Sequence, residues 1–307
     1  MTESRSHFAD RLILRVRALG HPLCLGLDPH LPAIPPLFRR GSMQPRDPQT
    51  SDAVFSFLGA VLERYGDSVA IVKPQIAFFE QLGWRGLQVL ERLVAQAKAQ
   101  GLQVLLDAKR GDIDSTAAAY AEYLNPAGAL PVDAMTVNPY LGRDTLAPYF
   151  RWAASDGSGV FVLVKTSNRG SGDFQDRTIE GRPLFEVVAA ALSETEQSLK
   201  GPQTGWSSLG LVVGATYPQQ SERVRELLPN ALILVPAYGA QGGGAFDAVR
   251  SFVHAAGAKR EGGVVSSSRG LLFPDGSQTD DARTWERAID AARQRAIDEL
   301  GSAIASS

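Results

Sequence analysis

Eight short apolar runs, each ending in Gly, Pro or a polar residue and each followed by a helix-period pattern, constrain this chain more than any single motif. They cover residues 23–28, 69–73, 104–109, 134–138, 160–165, 209–214, 232–236 and 264–268. Continuous apolar runs of this length read as strands buried on both faces, and strands alternating with helices build parallel sheets. Helical patterns fall at 51–65, 84–100, 115–124, 145–155, 182–199, 218–228 and 244–256, with 280–300 closing the chain. Eight such alternations over about 250 residues predict a single (β/α)8 barrel, the TIM barrel of the α/β class; a doubly wound sheet normally has fewer strands. The chain reads as one domain over 1–307. Residues 39–50 and 168–176 are expected as surface loops, and a flexible tail is expected from about 301.

Composition excludes several classes. With 44% hydrophobic and 21% charged residues, 307 residues can bury a large core, and a formal charge of -2 leaves no electrostatic footprint for nucleic acid. No apolar run reaches membrane-spanning length. Phe8, Leu12, Val16 and Leu19 share one face of an N-terminal helical pattern, with Asp10 opposite, so this stretch reads as an amphipathic helix rather than a transit peptide. The one cysteine, Cys24, has no partner for a disulfide or a Cys-based metal site, which fits a reducing cytoplasm. His7, His21, His30 and His254 show no ligand spacing, and no metal is expected. Phe78, Phe79 and Trp84 read as packing aromatics, as do Trp152, Trp206 and Trp285.

In such a barrel the chemistry sits at the C-terminal ends of the strands. The strand ends here supply Asp28, Lys73, Asp107, Lys109, Asn138, Lys165, Thr166, Ser167, Gln241 and Arg269. The densest is the third, LLDAKRGDIDST. Side chains alternate along a strand, so Asp107 and Lys109 point the same way, Asp112 follows a Gly turn, and Asp114 or Ser115 is expected to cap the next helix. Two ends suit a phosphate. The glycines of VPAYGAQGGGAF, residues 235–246, let backbone N–H groups approach an anion and Gln241 adds an amide; Arg269 in SSSRG supplies a planar donor fork.

These residues carry a resemblance. LGLDP at 25–29, VKPQ at 72–75, DAKRGDIDST at 107–116, KTSN at 165–168, GAQGG at 239–243 and SSSRG at 266–270 resemble the orotidine 5'-phosphate decarboxylase family, in its longer bacterial subfamily. The resemblance implies a homodimeric barrel with shared active sites that converts orotidine 5'-monophosphate to UMP and CO2 in pyrimidine synthesis, without metal or organic cofactor. It implies Lys109 as proton donor, flanked by Asp107 of its own subunit and Asp112 of the neighbouring one. It places Asp28 and Lys73 on the ribose and in the charge network, with Thr116 of the partner chain beside them. Thr166 and Ser167 would meet the pyrimidine, and Gln241 and Arg269 the phosphate. Gln75 departs from the Asn of some relatives and is left without a role.

The chemistry independently asks for these residue types. Loss of CO2 from C6 leaves a carbanion in the ring plane, where a fixed positive charge must stabilise it. Lys109 supplies that charge, and neighbouring carboxylates favour its ammonium form. Phosphate binding, remote from the breaking bond, can drive closure of the loop at 237–246. A Mg-dependent sugar-phosphate lyase or decarboxylase of the same superfamily is a rival, but it needs a further carboxylate that no other strand end provides. A non-catalytic nucleotide-binding barrel leaves a lysine boxed between aspartates unexplained.

Overall fold

A computed structural model describes residues 7–236, 238, 244–254 and 259–306. The eight expected strands form one parallel sheet: β1 (Leu23–Leu27), β2 (Ile71–Pro74), β3 (Leu105–Arg110), β4 (Ala134–Val137), β5 (Gly159–Lys165), β6 (Ser207–Val213), β7 (Ala231–Val235) and β8 (Gly263–Ser267). Neighbours follow chain order from β3 through β8, then β1 and β2. Bridges Val72–Val104 and Gln75–Asp107 bring β2 beside β3, so the sheet curls into a barrel. Helices alternate with the strands and cover them, because strands rich in Val, Ile and Leu on both faces must be buried on both.

The barrel interior is filled from below. Cys24, Ile71, Leu105, Ala134, Phe161, Val212, Leu234 and Val264 pack together, and the helix Phe8–Leu19 lays Phe8, Leu12, Ile13 and Val16 against them. The Phe8 ring meets Phe161 edge-on at 6.0 Å. Gly210 leaves room for the Phe161 ring, which a Cβ there would strike. Asp10 is not on a solvent face as expected. It is buried, and its carboxylate accepts hydrogen bonds from the N–H of Gln203 (3.2 Å) and Thr204 (2.8 Å) and from the Thr204 hydroxyl (2.6 Å). The helix thereby plugs the barrel floor.

Several expectations are corrected. Among the described residues of the stretch at 244–256, only Ala245–Ala248 is helical; Val253–His254 pairs antiparallel with Arg260–Glu261, a tertiary pairing that overrides helical periodicity. The pattern at 182–199 starts late, since Arg182–Pro183 is drawn into a hairpin with Thr178–Ile179, and it divides into Leu184–Ala190 and Ser193–Ser198. The last helix, Ala282–Ala305, continues past Gly301 with Ala303 and Ile304 buried, where a flexible tail was expected. Phe79 packs in the core, but Trp84 is 61% exposed, with the Arg85 guanidinium 4.4 Å over its ring. Among the described residues no helix is long and apolar enough to cross a membrane.

Candidate active site

At the C-terminal mouth of the barrel, β2, β3 and β4 aim their inward positions at one point. Lys73, buried at the end of β2, donates to Asp107 Oδ2 at 3.1 Å; Lys109 donates to Asp107 Oδ1 at 2.5 Å. Thr136 of β4 donates its hydroxyl to the same Oδ1 at 2.9 Å. The pairing of β3 with β4 shifts register between Leu106 and Arg110. The reason is local: the Thr136 oxygen accepts the N–H groups of Ala108 (3.0 Å) and Lys109 (2.9 Å), replacing ladder bonds with a bulge. Lys109 is held there at φ 47, a left-handed conformation uncommon for a side-chain-bearing residue. Bulge and strain together tip its ammonium into the mouth, where its side chain is 40% exposed.

Electrostatics set the protonation states. Burial disfavours the Asp107 carboxylate, but Lys73 and Lys109 outweigh that cost and hold its pKa below the usual carboxylate range. Burial likewise disfavours the Lys73 ammonium, and Asp107 and Asp28 more than compensate, raising its pKa. Asp107 is therefore held ionised beside a charged Lys73, a fixed field at the mouth. Below it, burial pushes the Cys24 thiol up to about 12, so it is no nucleophile.

The other expected residues surround this triad. Asp28 follows β1 with its Oδ1 buried and without a partner among the described residues, and the Ser268 hydroxyl after β8 is in the same condition. These two atoms lie on adjoining strand ends of the mouth. Arg269 is exposed at the start of the short helix Arg269–Leu272. Thr166 and Ser167 follow β5; the Thr166 hydroxyl is engaged by Asn168 and Gln175. Asn138 accepts from Tyr140 N–H at 3.0 Å and shapes the loop after β4. Lys165 is buried and pairs with Asp176 rather than with Asp107. Asp112 accepts its neighbour Ile113 N–H at 2.8 Å and forms no ion pair with Lys109, and Thr116 is exposed one turn along. The cap is also different from expectation: Ile113 precedes the helix Asp114–Ala121, and neither Asp114 nor Ser115 caps it. Gln241 lies outside the described residues.

Thr136 was not anticipated. Its inward position on β4, two residues before Asn138, was the available signal, but its function depends on a bulge that periodicity does not reveal. Among the described residues no three His, Cys, Asp or Glu side chains gather as a metal site.

Comparison with known proteins decides the family. Residues 21–283 match the model of the orotidine 5'-phosphate decarboxylase / HUMPS family. This chain belongs to that family. It is 39% identical over 302 residues to the orotidine 5'-phosphate decarboxylase of Rhodopirellula baltica, covering 95% of this chain and 98% of the relative. It is 40% identical over 301 residues to that of Deinococcus radiodurans, covering 97% and 98%. The solved OMP decarboxylase of Leishmania donovani superposes with a TM-score of 0.75 at 30% identity, over 98% of this chain and 100% of that one. The strand ends that build the mouth all lie inside the matched region.

Proposed function

We infer that this chain is a carboxy-lyase that converts orotidine 5'-monophosphate to UMP and CO2, and we propose the following division of labour. The observation that carries it is Lys109, aimed into the barrel mouth by a bulge and paired with an Asp107 that a second lysine keeps ionised. As the C6–CO2 bond breaks, both electrons stay on C6. The Lys109 ammonium stabilises that charge, then gives its proton to C6 as the new C–H bond forms. Asp107 and Lys73 hold the ammonium in place, so no dipoles need to reorganise during the step.

The remaining residues bind. Asp28, with its unpartnered oxygen, and Lys73 take ribose hydroxyls, and Ser167 with Thr166 takes the pyrimidine edge. Arg269, with Gln241, takes the phosphate, where a guanidinium and backbone N–H groups suit a dianion. No residue in this scheme requires a metal or organic cofactor.

We further propose a homodimer in which Asp112 and Thr116 complete the partner's site. In its own chain Asp112 does not reach Lys109, and Ile113, Tyr140 and Leu141 expose apolar surface on the adjacent loops, Tyr140 to 86%. Such a patch beside an incomplete site suits a second copy of the chain. A cytoplasmic setting fits the unpaired, buried Cys24. The test is the fall in ultraviolet absorbance as purified protein consumes orotidine 5'-monophosphate, before and after dialysis against EDTA. Turnover is expected in both. Activity that vanished with EDTA and returned only with Mg2+ would transfer the chain to sugar-phosphate chemistry.

A further inference from the structure

Lys165 ends β5 with its side chain wholly buried, and the scheme above gives it no task. Phe161 and Leu163 pack in the barrel interior, and the pairing of β5 with β6 shifts register between Leu163 and Lys165, at the end of the strand beside the one that carries Thr136. There the Lys165 ammonium donates to both carboxylate oxygens of Asp176, at 2.8 and 2.9 Å, and lies 4.4 Å from the centre of the Tyr217 ring. Gln220 also donates to Asp176 Oδ1, at 3.2 Å. Beside it, Gln175 grips Thr166: its Oε1 accepts Thr166 N–H at 2.9 Å and its amide donates to the Thr166 hydroxyl at 2.9 Å.

Two consecutive residues of the loop therefore staple it back onto two consecutive residues of the strand end. The chain between them starts at Ser167. That residue is fixed on its far side as well. Its carbonyl accepts from the Thr216 hydroxyl at 3.2 Å, and it presses so closely on Gly214 that a Cβ there would come within 2.7 Å of the Ser167 Cα. A buried ammonium is an expensive way to tie a loop down, because an apolar side chain of similar length avoids its desolvation. What the charge adds is geometry: a two-pronged carboxylate contact and a ring face fix the direction of the staple as well as its strength.

We propose that the Lys165–Asp176 pair, together with Gln175, is a positioning device that sets Ser167 against the pyrimidine and so contributes to recognition of the base. This rests on the assignment of Ser167 to the base. Lys165 itself touches no substrate atom in this scheme.

The test measures binding of UMP and of ribose 5-phosphate, which lacks the base, by calorimetry. Lys165→Met is expected to weaken UMP about fivefold to tenfold, the scale of one or two hydrogen bonds, while ribose 5-phosphate binds as before. Ser167→Ala is expected to behave alike, and the double variant to be no worse than the weaker single, because the two changes disable one contact. Equal losses for both ligands, or losses that multiply in the double variant, would overturn the positioning role while leaving the Ser167 assignment standing. A Ser167→Ala variant that binds UMP normally would instead overturn the base assignment and with it the route through which Lys165 acts. If Lys165→Met does not fold, Gln175→Ala removes the second prong from a partly exposed position and is read against the same outcomes.

Discussion

Selected charged residues at the two ends of the barrel are treated in opposite ways. At the floor, Glu261 accepts two bonds from Arg17, both at 2.7 Å, and one from the Trp206 indole at 2.8 Å. Arg225, almost fully buried, spends its guanidinium on the carbonyls of Leu228, Pro229, Ala231, Ser251 and Gly262. These donors and acceptors are used. At the mouth, Lys109 is partly exposed and backbone-strained, and Asp28 and Ser268 hold buried oxygens without partners among the described residues. A charge completed by its own chain is architecture; a charge left incomplete is available to a ligand or a second chain.

The largest effect that contrast predicts is at Lys109. Lys109→Ala should lower turnover of orotidine 5'-monophosphate by about 10⁴-fold or more, since it removes both the charge that stabilises C6 and the proton donor. Its urea midpoint should hardly move, because Asp107 keeps Lys73 and Thr136. A matching loss of stability would mean the mouth is architecture too. Asp112→Ala sharpens the point. If Asp112 serves the partner's site, refolding it together with Lys109→Ala chains at random makes half the dimers mixed, each with one intact site of two, and restores roughly a quarter of wild-type activity by two-fold counting. Tagged mixed dimers without activity would place Asp112 in its own subunit's site.

The floor should respond the other way round. Glu261→Leu strands the buried Trp206 N–H and breaks the pair with Arg17, a loss of about 3 kcal/mol in unfolding free energy. The kcat of the molecules that remain folded should be unchanged. A fall in kcat at equal stability would show that the floor communicates with the chemistry.

Much of the mouth was legible in the sequence because barrel topology does the gathering. Once eight apolar runs are read as parallel strands, their polar ends converge without further information, which is how Asp28, Lys73, Asp107 and Lys109 came together. What escaped depends on geometry that spacing does not encode. Thr136 matters only because β3 bulges opposite it; Asp176 matters because a loop folds back onto Lys165. Asp10 sits on the polar side of a helical pattern, yet a neighbouring loop supplies the three donors that let it be buried. The 244–256 stretch kept its helical period and still became part hairpin, since pairing with Arg260–Glu261 outbids local preference.

Arg269 tests whether an exposed mouth charge binds as expected. Arg269→Ala should weaken orotidine 5'-monophosphate about 10- to 100-fold, the scale of charge-assisted hydrogen bonds, and leave the phosphate-free nucleoside orotidine unaffected. Steady-state kinetics on both substrates measures this. Equal losses would move Arg269 to the architectural side of the contrast.

The smallest effect separates the two ends by pH. His21 lies at the floor just before β1, buried, with its Nδ1 accepting Leu23 N–H at a long 3.4 Å. Burial, and then the nearby Lys259 charge, lower its pKa from 6.5 to about 4. Between those values the unfolded chain binds a proton that the folded chain refuses, so stability must decline as pH falls through that window and be unaffected by this group above it. Asp107 is perturbed in the other sense for a carboxylate: its lowered pKa stabilises the fold above the ordinary carboxylate range and is lost only at more acid pH, below the window of His21. Urea midpoints taken from pH 7 down to 4 should therefore slope in the wild type and flatten in His21→Gln, whose amide can still accept from Leu23. A slope unchanged by that substitution would assign the acid sensitivity elsewhere.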